Sequence, residues 1–244
     1  MFFGKKAIVT GGTRGIGYAI AKMLVENGCT VVITGRNKDT IETTASEIGA
    51  IPFVWDISDI ENCKEKFREC TKLLGGLDIL VNNAGIFARR SEWNPEQLLK
   101  TTPEEWDSVM KTNAYSVFFM MQNAVNYMLE NEIKGNILNV TSVAGEEPTY
   151  GAYGASKICA TGLTKGWGKM FAPHGITING IAPGPVATEM NGWHEGDSLS
   201  HSRIPCGRFA VIDEIAELAK YLLSDKAKMV CGETIILDGA YHIR

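Results

Sequence analysis

The stretch from Lys6 to Gly17 reads KAIVTGGTRGIG, and the predicted fold follows from it. A short apolar run ends in a glycine-rich turn, which leads directly into a segment with helical period, YAIAKML at 18–24. Glycines permit a tight turn and close approach of the backbone to a ligand, while the start of a helix presents unpaired N–H groups to anionic oxygens. The pattern therefore predicts a strand, a turn and a helix that together cradle the pyrophosphate of a dinucleotide.

Short apolar runs alternate with longer segments of helical period along all 244 residues, and no linker interrupts them. This alternation predicts an α/β fold in a single domain over 1–244: a Rossmann-like doubly wound parallel sheet of about seven strands, flanked by helices in three layers. The predicted strands are Lys6–Thr10, Thr30–Thr34, Pro52–Trp55, Asp78–Asn82, Gly135–Val140, Thr177–Ile181 and Thr234–Leu237. The predicted helices lie near Gly15–Glu26, Asp39–Glu47, Asp59–Leu74, Pro103–Leu129, Tyr153–Phe171 and Ile212–Leu223.

Composition and charge argue against several classes of protein. The net charge of -4 and the lack of a run of lysines or arginines predict no binding to nucleic acid. No stretch approaches the roughly 18 consecutive apolar residues of a membrane-spanning helix, and no signal-peptide pattern precedes the first strand, so we expect a cytoplasmic protein without a membrane partner. The six cysteines form no C-x-x-C pair and the four histidines no H-E-x-x-H pattern, which predicts reduced thiols and no metal site.

Charge at the end of the second predicted strand indicates which dinucleotide binds. The segment at 34–37 reads TGRN, so Arg36 stands near the position where folds that prefer NAD carry a carboxylate for the ribose 2′-hydroxyl. A contact between Arg36 and a 2′-phosphate, at roughly 1.5–3 kcal/mol, favours NADP(H) about ten- to a hundredfold. Arg14 in the glycine turn is a candidate second cation. The alternative is that both arginines are solvated surface charges.

Further motifs follow the glycine turn in a fixed order. Residues 82–85 read NNAG, 153–157 read YGASK and 183–184 read PG, with Asn113 and Ser142 between the first two. In these motifs the chain resembles the short-chain dehydrogenases/reductases over essentially its whole length. Within that family it is most similar to bacterial 3-oxoacyl-(acyl carrier protein) reductases and their relatives that act on sugars, polyols and other small carbonyls.

The resemblance implies a set of cofactor contacts. They are Gly11, Thr13, Arg14, Gly15, Ile16 and Gly17 in the turn, Arg36 beyond it, Asp56 and Ile57 near the adenine, Asn83, Ala84 and Gly85 along the ribose, and Pro183, Gly184, Val186 and Thr188 at the nicotinamide. Two features depart from the family. Ser142 and Tyr153 are 11 residues apart, which makes the loop between them short, and segment Ile86–Thr102 is longer than in most acyl carrier protein reductases. These departures weaken the transfer of the substrate of the acyl carrier protein reductases to this chain.

Tyr153 and Lys157 are spaced i and i+4, so they lie on one face of the predicted helix. An ammonium some 4 Å from a phenolate contributes about 4 kcal/mol at an effective dielectric constant near 20, enough to bring a phenol with a pKa of about 10 towards neutrality. Tyr153 is thus the predicted proton donor to a carbonyl oxygen, and Ser142 a hydrogen-bond donor to the same oxygen. Tyr150 is the rival candidate for the proton donor. It lacks a cation at the corresponding helical position, because the residue at its i+4 position is Gly154.

The resemblance adds roles for two of these residues. Lys157 would also bind the nicotinamide ribose, together with Tyr153, and Asn113 would support a water path that resupplies the proton. The alternative for Asn113, taken by itself, is an amide that kinks a helix or satisfies a polar group in the core.

The remaining expectations concern the surface and the substrate. We expect Thr188–Cys206 to form a mobile lid, with an inert loop as the alternative. Apolar positions 117–121 predict a homo-oligomer, a dimer or tetramer, unless they serve the core. The candidates to bind an anionic or sugar-like group of a small-molecule substrate are Arg89, Arg90, Trp93, Trp193 and His194. The expected function is an NADP(H)-dependent oxidoreductase, and the alternative is a sensor or scaffold that binds the cofactor without turnover.

Overall fold

A computed structural model describes residues 1–87 and 94–243. These residues form one sheet of seven parallel strands in the order β3-β2-β1-β4-β5-β6-β7. The strands are β1 (Lys6–Val9), β2 (Thr30–Gly35), β3 (Ile51–Val54), β4 (Ile79–Asn82), β5 (Asn136–Val140), β6 (Thr177–Pro183) and β7 (Thr234–Leu237). The predicted doubly wound parallel sheet is confirmed. The single domain over 1–244 stays a prediction.

Eight α-helices lie within the described residues. They are α1 (Gly15–Glu26), α2 (Lys38–Ile48), α3 (Cys63–Leu74), α4 (Pro95–Leu98), α5 (Pro103–Met110), α6 (Ser116–Glu130), α7 (Ala152–Phe171) and α8 (Ile212–Leu222). Within the same ranges, no helix has the length and apolar character needed to cross a membrane.

Two helix predictions were wrong in detail. The helix expected near Asp59 begins only at Cys63, because Asp59 accepts hydrogen bonds from the Asn62 amide at 2.9 and 3.1 Å and holds a local turn instead. The helix expected from Pro103 to Leu129 is interrupted by a π-helical segment at Lys111–Tyr115, which separates α5 from α6. Short α4 was missed, although Asn94 caps it by accepting a hydrogen bond from the Glu96 N–H at 2.9 Å.

Alternate residues of the strands enter two separate cores, because successive side chains of a strand point to opposite faces. Val9 of β1 packs in the core that contains the buried faces of α1, α2 and α8. Ile8, its neighbour, packs in the core that contains those of α3, α6 and α7. The sheet is therefore covered on both faces, as the three-layer prediction requires.

The strand order reverses between β1 and β4, since the chain leaves β1 towards β2 and β3 and returns on the other side. In an open parallel sheet the crevice for a ligand lies beyond the carboxyl ends of the strands at this reversal. The residues directly after β1 and β4 are the glycine turn and Asn83.

Gly168 of α7 marks a close approach between helix and sheet. A Cβ there would lie 2.5 Å from the Gly232 nitrogen and 3.0 Å from the Ile178 carbonyl oxygen, whereas a Cβ at Gly162 in the same helix meets nothing within 4 Å. We expect Gly168→Ala to lower the free energy of unfolding by about 1–3 kcal/mol through overpacking. The control Gly162→Ala should raise it by about 0.5–1 kcal/mol, since alanine favours helix. Urea unfolding measures both, and equal effects would contradict the close packing.

Candidate active site

The glycine turn has the geometry of a phosphate cradle. Gly11 and Gly15 have φ of 63° and 56°, a region that side chains with a Cβ rarely adopt. A Cβ at Gly17 would collide with the Asn83 amide and the Gly11 carbonyl. Helix α1 begins after Arg14 without a side-chain cap, which leaves its first N–H groups to an anionic ligand. These features fit the pyrophosphate of a dinucleotide.

Thr10 and Asn83 hold this turn against the end of β4. The Thr10 hydroxyl oxygen accepts hydrogen bonds from the backbone N–H groups of Asn83 and Ala84, both at 3.0 Å. In return, the Asn83 amide donates to the carbonyl oxygens of Thr10 at 2.9 Å and Gly11 at 3.0 Å. Asn83 was predicted to line the ribose, and its side chain also braces the turn. Thr10 was missed as a site residue, although it directly precedes Gly11 of the glycine turn.

The two arginines predicted to bind the 2′-phosphate differ in their surroundings. Arg36 is exposed and forms no ion pair within residues 1–87 and 94–243. Arg14 is paired with Glu189 at 2.7 Å, and both side chains are largely exposed. Because an exposed pair contributes about 0–1 kcal/mol, a phosphate can compete for Arg14. Residue spacing carried no signal for a partner 175 positions away.

Asp56 and Ile57, predicted near the adenine, follow β3. Asp56 is exposed, and its carboxylate accepts hydrogen bonds from the Ser58 N–H at 3.0 Å and the Ser58 hydroxyl at 2.7 Å. Ile57 is buried in the core beside α3. Near the turn, a Cβ at Gly35 would lie 2.9 Å from the Thr13 side chain, so the end of β2 lies directly against the glycine turn.

Tyr153 and Lys157 lie in the first two turns of α7. The Lys157 ammonium nitrogen is 5.6 Å from the centre of the Tyr153 ring and donates to the Val140 carbonyl oxygen at 3.0 Å. Lys157 is only 6% exposed. Burial, which disfavours the charged form, lowers the pKa of its ammonium from 10.5 to about 8.

Ser142 follows β5 and lies at the start of a short turn that packs on α7. Its hydroxyl accepts a hydrogen bond from the Ala144 N–H at 3.2 Å and caps the 3-10 turn Val143–Gly145. A Cβ at Gly145 would lie 2.8 Å from the Lys157 carbonyl oxygen, so this turn packs directly on α7. The turn that Ser142 caps is thus in contact with the helix that carries Tyr153 and Lys157, near the end of β5.

Asn113 sits inside the π-helical segment and joins three parts of the site. Its amide oxygen accepts from the Ile86 N–H at 2.9 Å, and its amide nitrogen donates to the Ile86 carbonyl at 2.9 Å and to the Ser156 hydroxyl at 3.2 Å. Ser156 in turn donates to the Tyr153 carbonyl at 2.6 Å. A Cβ at Gly85 would be 3.5 Å from the Asn113 amide oxygen and 3.6 Å from the Lys157 nitrogen. Ser156 was missed, although it lies within the YGASK motif.

The segment after β6 carries the residues predicted to face the nicotinamide. A Cβ at Gly184 would lie 2.9 Å from the Asp238 Cα, which packs Pro183 and Gly184 against the residues after β7. The buried Val186 accepts a hydrogen bond on its carbonyl oxygen from the Asn191 amide at 2.8 Å. A Cβ at Gly15 would be 3.6 Å from the Thr188 methyl group. The segment therefore crosses the crevice and reaches the glycine turn.

The predicted lid over Thr188–Cys206 begins at this crossing. It contains a 3-10 turn at Glu189–Asn191, and its Trp193 is half-buried with no hydrogen-bond partner for the indole nitrogen among the described residues. His194 is exposed, and its N–H donates to Asp197 at 2.8 Å. Mobility of this lid stays a prediction. The predicted substrate contacts Arg89, Arg90 and Trp93 lie outside the described residues.

Comparison with known proteins finds reductases and dehydrogenases that match nearly the whole chain. The family model described as enoyl-(acyl carrier protein) reductase matches residues 11–242. A 3-oxoacyl-[acyl-carrier-protein] reductase of Thermotoga maritima is 33% identical over 98% of each chain. The gluconate 5-dehydrogenase of Gluconobacter oxydans is 34% identical over 98% of this chain and 95% of its own. A point variant of the actinorhodin polyketide ketoreductase, solved with NADPH, is 27% identical, with a TM-score of 0.88 over 98% of both chains.

The buried ammonium of Lys157 gives a pH-dependent prediction. The pKa of this ammonium is lower in the folded chain than in the unfolded one, so the charged group lowers the free energy of unfolding at any pH below about 8. This loss of stability disappears as the pH rises from 8 towards 10.5, because the folded chain then holds the neutral amine. Lys157→Met should therefore raise the free energy of unfolding at pH 7 by about 2 kcal/mol, the desolvation cost less the lost hydrogen bond to Val140. The gain should shrink towards pH 10.

Urea unfolding at pH 7 and pH 10 checks this difference between variant and parent. Lys165→Met, an exposed lysine of the same helix, is the control and should change stability little at either pH. A gain that is equal at both pH values would contradict the buried charge.

Proposed function

The chain belongs to the short-chain dehydrogenase/reductase family, and from this premise we propose that it interconverts a ketone or aldehyde and the matching alcohol with NADP(H). As a member it is an oxidoreductase of carbonyl and alcohol groups that binds a nicotinamide cofactor. The observation that carries the proposal is the buried Lys157 beneath the Tyr153 ring, at the crevice beside the glycine turn. The substrate we propose is a 3-oxoacyl thioester, a sugar or polyol, or another small ketone.

The bound nicotinamide supplies the hydride for reduction and accepts it in oxidation. Tyr153 carries the proton, which passes from its phenolic oxygen to the carbonyl oxygen during reduction and returns during oxidation. Ser142 donates a hydrogen bond to that oxygen and stabilises the charge that develops there. The positive charge of the Lys157 ammonium, 5.6 Å from the centre of the Tyr153 ring, stabilises the phenolate that forms when the proton leaves.

Lys157 is mostly protonated at pH 7, because its pKa of about 8 lies above that pH. Its hydrogen bond to Val140 and the chain from Asn113 through Ser156 to Tyr153 fix the start of α7 relative to β5. We propose that these contacts hold the Tyr153 phenolic oxygen and the Lys157 ammonium in fixed positions beside the substrate. Lys157 and Tyr153 would also contact the nicotinamide ribose.

We propose NADP(H) rather than NAD(H) because of charge at the end of β2. Arg36 is exposed and unpaired among the described residues, so a 2′-phosphate can bind it without breaking an ion pair. The related ketoreductase solved with NADPH supports this choice. Arg14 is a second candidate, once a phosphate displaces Glu189.

We also propose a homo-oligomer, a dimer or tetramer. Val117, Met120 and Met121 are buried within the chain itself, so the core accounts for them. Phe118 is only half-buried, and its ring lies 5.4 Å from that of Trp167 on α7, centre to centre. These aromatic residues on α6 and α7 support an interface with a second copy. A cytoplasmic location stays a prediction.

Removing the phenolic oxygen tests the role of Tyr153. Tyr153→Phe should lower kcat about 10²–10⁴-fold, the range for a lost general acid, and leave the Kd for NADPH nearly unchanged. The measurements are the loss of NADPH absorbance with a panel of ketones and a fluorescence titration of NADPH. Tyr150→Phe is the matched control and should keep its turnover. If the parent chain binds NADPH tightly but turns over no ketone, the result favours the alternative function, a sensor or scaffold that binds the cofactor without turnover.

A second substitution tests cofactor choice. Arg36→Asp should lower the preference for NADP(H) over NAD(H) about ten- to a hundredfold, because a carboxylate repels the 2′-phosphate and accepts a hydrogen bond from the 2′-hydroxyl. The ratio of the Kd values for NADPH and NADH measures the preference. Arg68→Asp, the same change of charge at an exposed position of α3, should leave the ratio unchanged. An unaltered ratio in Arg36→Asp would place the phosphate elsewhere.

A further inference from the structure

A cleft opens beside the Tyr153 ring, between Phe87 and the loop that joins β5 to α7. It is shallow and partly open to solvent. The side chains that matter to its chemistry are those of Phe87, Glu147, Pro148, Thr149, Tyr150 and Tyr153. Since the proposed proton donor forms part of its wall, a group bound in the cleft belongs to the molecule that reacts.

Among the residues that the structure describes, the charge in the lining of the cleft is negative. Glu147 is half-buried and belongs to the lining, and no lysine or arginine of residues 1–87 and 94–243 lines the cleft with it. A carboxylate at a partly desolvated position repels an anion and attracts a cation more strongly than one in bulk water. Its neighbour Glu146 is exposed and does not line the cleft.

The rest of the wall is aromatic. The Phe87 and Tyr153 rings are 4.7 Å apart, centre to centre, and are tilted by 53°. Phe87 is 39% exposed and Tyr150 is 59% exposed, and both belong to the lining of the cleft. Aromatic faces attract cations through their quadrupoles, and several rings with a carboxylate form the usual setting for an ammonium group.

From these contacts we propose that Glu147 is a specificity-determining residue and that the substrate is an amino ketone or amino alcohol, with its ammonium group in this cleft. The inference rests on the proposed function and adds the substrate class. Glu147 supplies the opposite charge, Phe87 and Tyr150 supply the rings, and Tyr153 delivers its proton to the carbonyl at the end of the same cleft. A carboxylate in place of the ammonium group is rejected by Glu147.

Three para-substituted acetophenones of different charge test this inference. They are 4-acetyl-N,N,N-trimethylanilinium, its neutral isostere 4-tert-butylacetophenone, and the anion 4-acetylbenzoate. We expect kcat/KM with NADPH to be about tenfold higher for the cation than for the neutral ketone, and about a hundredfold higher than for the anion. Higher ionic strength should reduce both ratios, since salt screens the carboxylate.

The decisive variant is Glu147→Gln, which keeps the size of the side chain and removes its charge. It should lower the cation-to-neutral ratio of kcat/KM to near one, while the control Glu146→Gln, with the same loss of one charge, keeps the ratio of the parent chain. Thermal unfolding of both variants verifies that each is folded. Equal ratios in the parent chain and Glu147→Gln would overturn the inference.

Binding measured without cofactor separates this inference from the proposed function. Isothermal titration calorimetry of the parent chain should give a lower Kd for the cation than for the neutral ketone, and Glu147→Gln should remove the difference. If that difference is found but no ketone is turned over, the proposed function fails and the cation site stands. If all three ketones are turned over equally well, the function stands and the cation site is refuted. Absence of a difference in both binding and turnover likewise refutes it.

Discussion

The brace between Thr10 and Asn83 holds the parts of the site in place. Four hydrogen bonds tie the end of β1 to the end of β4, where the order of the sheet reverses. Each contributes only about 1 kcal/mol net, but a buried partner left alone would cost more. A Cβ at position 17 would collide with the Asn83 amide. The hydrogen bonds of Asn83 therefore depend on a glycine at this position of the turn.

A second set of contacts extends this arrangement to the chemistry. Asn113 binds both backbone groups of Ile86, and through Ser156 it reaches the backbone of Tyr153. The loop after β4, the π-helical segment and the start of α7 therefore form one connected unit. The π segment fits this geometry, since it turns an amide of a long helix towards the loop without ending the helix. The buried ammonium of Lys157 is the cost of the arrangement, because desolvation disfavours its charge and the Val140 carbonyl offers only partial compensation.

Much of the structure was predictable because the deciding signals are local. Periodicity located the seven strands to within a residue or two, and the glycine turn, Ser142 and the Tyr153–Lys157 pair follow from short motifs. The late start of α3 and the break at Lys111–Tyr115 were not predictable, because side-chain hydrogen bonds decide them against helical period. Ser156 escaped notice since its role depends on an amide 43 positions away.

The order of residues was enough to give the class of fold, the cradle and the family, because backbone sterics and hydrophobic period act over a few residues. The pairing and direction of charges emerged only once the chain was folded. Folding joined Arg14 to Glu189, buried Lys157 beside the Tyr153 ring, and placed Glu147 in the lining of the cleft. Coulomb and desolvation energies depend on distance and burial in space, and neither quantity is written in the spacing of residues along the chain.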